Sequence, residues 1–388
     1  MNKENSTNKE YLINLNISFI LSTINYMDSK YLIIDPRPSE CFKDLTFSGF
    51  KKRDIFNALL KSIESGKVEN ACFWITECLV SGYIIEVLER LIIFGSKVVH
   101  VNSPKLPSFL LNRYTTFIKS IDHLNQKDKK KFIHLRNTQS IRNSLFDIVT
   151  TLTTSSKNKR YDKYPKLKED TDFSLEQIKK KMNATMQILP SHIIKFTDPA
   201  ELRVIMNEFY FNLKNINGGY DNCIYWIIWL INWEKINKKK RLAFEIEERP
   251  IKGINKKLCR DLIWLIWSVI FDEANLRDDN IKLQIKNLFL LYKDNFTSGK
   301  RNSRLPLVYH AVGYLTLPIK FDIPIRLNYD IFIQTQCNIN KMFQDKKNFE
   351  VKEYIEPEKP TKRLIGIEKE IALSKLDHIA EIDQLLMG

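Results

Sequence analysis

Histidine and cysteine are the side chains best suited to metal or nucleophilic chemistry, and their spacing here argues against both. His100, His123, His134, His192, His310 and His378 never fall within four residues of one another or of a cysteine, so no local zinc site is expected. Cys41, Cys72, Cys78, Cys223, Cys259 and Cys337 form no C-x-x-C pair and lie mostly in apolar contexts. That scatter reads as reduced thiols in a cytosolic setting, not as a disulfide framework. Gly66-Lys67 and Gly299-Lys300 lack the upstream glycine and the following hydroxyl residue of a phosphate-cradling loop. No G-x-G-x-x-G, H-E-x-x-H or G-x-S-x-G occurs. Carboxylates cluster at Glu245, Glu247 and Glu248 and at Asp272, Glu273, Asp278 and Asp279, a residue type that two-metal catalysis uses. Both clusters border helix ends rich in Lys and Arg, so ion pairing or solvation is the expected role. The chain therefore reads as non-enzymatic, with no cofactor, metal or catalytic residue expected.

Positive charge is the stronger chemical signal. The 61 Lys plus Arg exceed the 46 Asp plus Glu by 15. Residues 51–345 hold all of the excess, because each end of the chain carries one more acid than base. Two segments stand out. Residues 155–168 place Lys157, Lys159, Arg160, Lys163, Lys166 and Lys168 against Asp162, with Tyr161 and Tyr164 interleaved. Residues 235–257 carry nine basic and three acidic side chains, including Lys238, Lys239, Lys240 and Arg241. Basic segments with aromatic rings can follow a phosphate backbone while the rings stack on bases, so these residues are the candidate nucleic-acid contacts. Lys300, Arg301 and Arg304 form a third, smaller set. A solvated linker accounts for the first segment and a chance import-like run for the second. An A/T-rich coding sequence accounts for lysines that greatly outnumber arginines. Arg136-Asn137 and Arg142-Asn143 recur six apart, a pattern open to an interface, a phosphate, a cap or solvent.

The elements that must position these side chains are helical. With only 11 Gly in 388 residues and 44% hydrophobic residues, the chain has few tight turns and ample core. Apolar residues at helical spacing predict helices over 53–65, 68–81, 84–98, 107–121 and 141–154, the first two closed by Gly66 and Gly82. Asp198-Pro199-Ala200-Glu201 predicts a capped helix start running to about Leu213. Helices are further expected over 220–234, 256–272, 281–295, 305–317 and 329–343. Trp226, Trp229 and Trp233 share one helix face and Trp264 and Trp267 another, and Trp74 points inward. A short strand over Tyr31–Ile34 is the one extended element expected. The most apolar run, Cys223–Trp233, is about half of the 20 residues a membrane span needs, so it reads as a buried helix and no membrane contact is expected. The polar Met1–Glu10 stretch does not read as a secretory leader. The expected fold is all-α with two helical domains: an arm over 1–50, helices over 51–154, a basic linker over 155–173, a Trp-rich helical domain over 174–344, a linker over 345–363 and a terminal helix over 364–388.

Residues 56–104 carry a resemblance. Ala58–Ser62 (ALLKS), Gly66, Glu69–Trp74 (ENACFW), Gly82, Leu88-Glu89-Arg90-Leu91 and Asn102–Pro104 resemble the helical collar that follows the ATPase core in replication-associated recombination ATPases related to clamp loaders. The match covers about residues 50–155, and no nucleotide-binding loop stands upstream of it. The resemblance thus implies oligomerisation through a collar and not nucleotide hydrolysis. CIYWIIWLINWEK and DLIWLIWSVIFDE are similar in style to uncharacterised proteins of large nucleocytoplasmic DNA viruses, which implies a host-cytoplasmic virus factory or a virion. Together these readings lead to an accessory or scaffold factor of DNA replication or repair, contacting nucleic acid and other protein subunits. The alternative is a virion structural or assembly protein facing packaged genome or acidic capsid proteins.

Overall fold

Apolar residues three and four apart become the buried faces of helices in the computed structural model, which describes residues 28–121, 129–158, 166–241 and 246–355. Of these, 66% are helical, and no strand occurs among the described residues. The fold is all-α. Its helices are α1 (Lys52–Glu64), α2 (Val68–Val80), α3 (Ile84–Val98), α4 (Leu106–Ser120), α5 (Gln139–Thr154), the short α6 (Glu169–Asp172) and α7 (Leu175–Lys181), α8 (Glu201–Lys214), α9 (Tyr220–Lys239), α10 (Leu262–Ala274), α11 (Asp279–Lys293), the short α12 (Ser298–Arg301), α13 (Leu305–Thr316) and α14 (Tyr329–Lys346). Gly66 and Gly82 follow α1 and α2 at φ +70° and +78°, the left-handed geometry that ends a helix and that glycine adopts without strain. No described helix is long and apolar enough to cross a membrane. The expected helix over 364–388 lies outside the described residues.

Packing ignores the boundary expected at 155–173. Helix α4 lies on α11, α13 on α3, and α14 on both α5 and α2, so helices from both halves share one hydrophobic core. Helix α13 is the centre of that arrangement: every residue from Pro306 to Thr316 is buried, and α3, α8, α9, α10 and α11 all touch it. A helix that is apolar all round can only be an interior element. The apolar faces of 51–154 and 174–344 therefore cover each other instead of closing two separate cores. The described residues form a unit of 28–34 with those of 38–350, and a second of 35–37 with 351–355. In the second unit, the Asp35 carboxylate accepts from the Arg37 guanidinium at 2.8 Å and from the Val351 N–H at 2.9 Å.

Buried charge pairs fasten distant helices. Glu77 on α2 is fully buried and accepts from Lys346 Nζ on α14 at 2.5 Å, from Thr46 Oγ1, and from the Ser48 N–H and hydroxyl. Burial alone would raise the Glu77 pKa, but Lys346, the Thr46 hydroxyl and the Ser48 N–H outweigh it and hold it low. Asp147 on α5 receives Arg326 bidentately, and Arg113 on α4 at 2.6 Å.

Four local expectations are corrected. Tyr31–Ile34 forms no strand: Ser29–Tyr31 is a 3₁₀ turn, and the Asn137 side-chain amide bonds both the N–H and the carbonyl of Ile33, taking the place of a neighbouring strand. Asp198 does not cap a helix. Its carboxylate is consumed by buried Arg249 at 2.5 Å and by the Lys195 and Glu247 N–H groups, and α8 starts at Glu201. Lys256–Arg260 is a 3₁₀ turn, and α10 begins at Leu262 because the Asp261 carboxylate caps Ile263 N–H at 3.0 Å. Arg142 is fully buried, with its guanidinium 3.5 Å from the centre of the Phe343 ring and bonded to the Arg136 and Tyr31 carbonyls. That position leaves it neither a solvent role nor access to a phosphate.

Candidate nucleic-acid interface

Helix α9 carries the second basic segment. Its apolar body, with Cys223, Ile224, Trp226, Ile227 and Leu230 buried, keeps the helix intact five residues beyond Glu234. The last turn then becomes basic, where cations meet the negative end of the helix dipole. Lys238, Lys239, Lys240 and Arg241 are all exposed. Lys238 pairs with Glu234 at 2.8 Å and Lys240 with Glu169 at 3.1 Å, which discounts their charge toward a ligand. Lys239 and Arg241 remain the outward cations of this run, with Arg241 at φ +54° turning the chain out of the helix.

The first basic segment divides. Lys157 turns back on α5, donating to the Thr153 carbonyl at 2.9 Å and the Ser155 carbonyl at 2.6 Å. Burial pushes its ammonium down to about 8. These bonds engage its ammonium at the C-terminus of its own helix. Lys159, Arg160, Tyr161, Lys163 and Tyr164 lie outside the described residues. Lys166 is exposed and returns to the body beside α9, because Phe173 stacks on Trp229 with ring centres 5.0 Å apart and the Trp229 indole N–H donates to the Asp172 carbonyl at 3.1 Å. Two basic runs that are some 70 residues apart in the chain therefore meet at α9.

Beside this junction lies a cavity of about 500 Å³. Lys166, Lys97, Asn232, Asn302 and Ser303 supply its polar wall, Leu167, Ile228 and Pro306 its apolar one, and no carboxylate lines it among the described residues. Such a wall suits an anion with an apolar or aromatic part. Lys97, Asn232 and Asn302 carried no sequence signal, since each stands alone in its own helix or turn. The third basic set is withdrawn from any such role. Lys300 bonds Glu89 at 2.8 Å, Arg301 bonds Glu234 and Asp261, and Arg304 bonds Glu89 and the Tyr292 carbonyl. Burial opposes the charge on Arg301, yet Asp261 and Glu234 more than offset it and raise its pKa.

The described members of the Asp272–Asp279 acidic cluster and two core histidines have partners within the fold. Among the described residues, no group of three or more His, Cys, Asp or Glu could hold a metal ion. Glu273 is buried between Lys214 and Arg277, Asp272 accepts from Tyr210 and His192, and Asp278 caps α11. His100 and His310, 210 positions apart in sequence, stack in the core with ring centres 4.5 Å apart. His310 Nδ1 sits 3.2 Å from the Ser96 hydroxyl, and Tyr220 meets His100 edge-on. Burial pushes His100 down to about 3, and burial together with the neighbouring His100 holds His310 well below its ordinary value. Compared with known proteins, the chain matches no family model, no curated protein and no solved structure.

Proposed function

We propose that the protein is a non-enzymatic accessory or scaffold factor that holds nucleic acid on the face made by the end of α9 and residues 166–168. Its setting is the DNA replication or repair of a large DNA virus that the sequence resemblance implies. One observation supports this reading: Lys166 and α9, the helix that ends in the Lys239–Arg241 run, line one cavity in which no carboxylate stands among the described residues. A face assembled from lysines and one arginine gives sequence-tolerant binding where these groups meet phosphates, since contacts to the phosphate backbone carry no base information. The test is fluorescence anisotropy of a labelled single-stranded oligonucleotide across a salt series. Replacing Lys166, Lys239 and Arg241 with Gln is expected to flatten the dependence of log K on log salt by about 2, at roughly 0.7 per lost phosphate contact. An unchanged slope, or no binding by the wild type at low salt, would end this reading.

A further inference from the structure

A second cationic cleft lies where residues 43–45 meet the start of α1. It encloses about 680 Å³, and Lys43, Lys51, Lys52, Arg53 and Arg90 line it against two carboxylates, Asp44 and Glu86. Glu86 is already shared by Lys52 at 2.7 Å and Arg90 at 2.9 Å. Those two cations also cover ring faces, Lys52 on Tyr83 and Arg90 on Phe56, so they form a fixed wall. Lys43, Lys51 and Arg53, all exposed, are left with Asp44 as the other carboxylate among the described lining residues.

The loop that presents them is tightly held. The Thr46 N–H bonds the Phe50 carbonyl at 2.7 Å, the Lys52 N–H bonds the Asp44 carbonyl at 2.9 Å, and Gly49 takes φ +83° at the turn. Exposed rings continue from the same loop. Phe50 is 39% exposed and meets Trp74 edge-on at 5.4 Å, and Trp74 in turn meets Phe73, which is 42% exposed. Three outward cations within eleven residues thus stand next to a short run of open aromatic surface. Cations and rings side by side suit a polymer that alternates phosphates with flat bases.

We propose that this cleft is a second nucleic-acid contact, taking phosphates of a single strand on Lys43, Lys51 and Arg53 and offering Phe50 and Phe73 to its bases. It is separate from the α9 face and does not depend on it.

The test titrates the full-length protein with a labelled oligothymidylate across a salt series. Three variants are compared with wild type: K43Q/K51Q/R53Q in the cleft, K166Q/K239Q/R241Q on the α9 face, and K61Q/K67Q/K286Q as an equal charge loss on exposed helix and turn positions. The cleft variant is expected to keep its melting temperature and lose about 2 from the salt slope, and the third variant to lose far less. F50A/F73A is expected to bind about tenfold more weakly with its slope unchanged, because stacking carries no counterion. A cleft variant that behaves like the third variant overturns the proposal. Inorganic phosphate that raises the melting temperature of wild type but not of the cleft variant, with equal oligonucleotide slopes, assigns the cleft to a free phosphate ligand and also overturns it. A slope lost only in the α9 variant removes this cleft and keeps the first face; a slope lost only in the cleft variant does the reverse.

Discussion

Lowering the pH from 7.5 to 5 should destabilise this protein well before its carboxylates titrate, and the His100–His310 stack sets the amount. Both rings are fully buried, and burial holds both neutral, with His100 at about 3 and His310 below its ordinary value by a wide margin. In the unfolded chain each returns to a pKa near 6.5. Below that pH the unfolded state binds more protons than the native state, so stability is full above about pH 7.5 and falls as the pH drops through 6.5. At pH 5 each histidine costs about 2 kcal/mol, and the pair about 4 kcal/mol, which is a large part of a typical domain's stability. Glu77, Asp198 and Glu86 have pKa values held below the usual carboxylate range, so their contribution is lost only below about pH 4.5 and does not blur this window. The assay is the urea midpoint measured at half-unit pH steps for wild type and for His310→Gln. The wild type should lose about 4 kcal/mol between pH 7.5 and 5, and the variant about half of that, whatever its starting stability. A flat profile over that range, or equal slopes for the two proteins, would refute the reasoning.

Two further outcomes follow from buried groups. Replacing Lys346 with Met strands the fully buried Glu77 carboxylate and should cost about 3–5 kcal/mol in urea unfolding, with Glu77→Gln recovering part of the loss when combined with it; equal losses in the single and double variants would show that the two groups are not coupled. Trp264→Ala should cost about 3–5 kcal/mol, because its ring is fully buried against Phe289, Tyr292 and Phe296 and its N–H bonds the Leu258 carbonyl. Trp74→Ala should cost about 1.5 kcal/mol, because that ring is only half-buried beside Phe50 and Phe73, and thermal melts giving the two substitutions equal cost would contradict this packing.

Much of the helix inventory was legible in the amino-acid sequence. Ile84–Val98 was bounded correctly to the residue, and α1, α2, α4, α11 and α13 to within one or two residues, because periodic apolar side chains and Gly66 or Gly82 act within a single turn of chain. Trp226, Trp264 and Trp267 were readable as core for the same reason, and Trp74, also expected inward, packs against that core while only partly buried. Asp198 shows where local chemistry misleads: Asp-Pro-x-Glu is a good cap, but a buried arginine 51 positions away binds the same carboxylate more strongly.

The candidate interface was half legible. Lysine runs are visible in any sequence, but whether a lysine faces a ligand depends on which carbonyl or carboxylate reaches it first. Lys157 is taken by the end of its own helix, and Lys300, Arg301 and Arg304 by acids 40 to 215 positions away. Composition and periodicity fixed an all-α chain with a basic body, since those properties belong to residues and to single turns of helix. The interior place of α13, the stacked histidines and the meeting of two basic runs at α9 were decided by the tertiary structure alone, because each arises when apolar faces far apart in the chain exclude water against one another and carry their polar neighbours along.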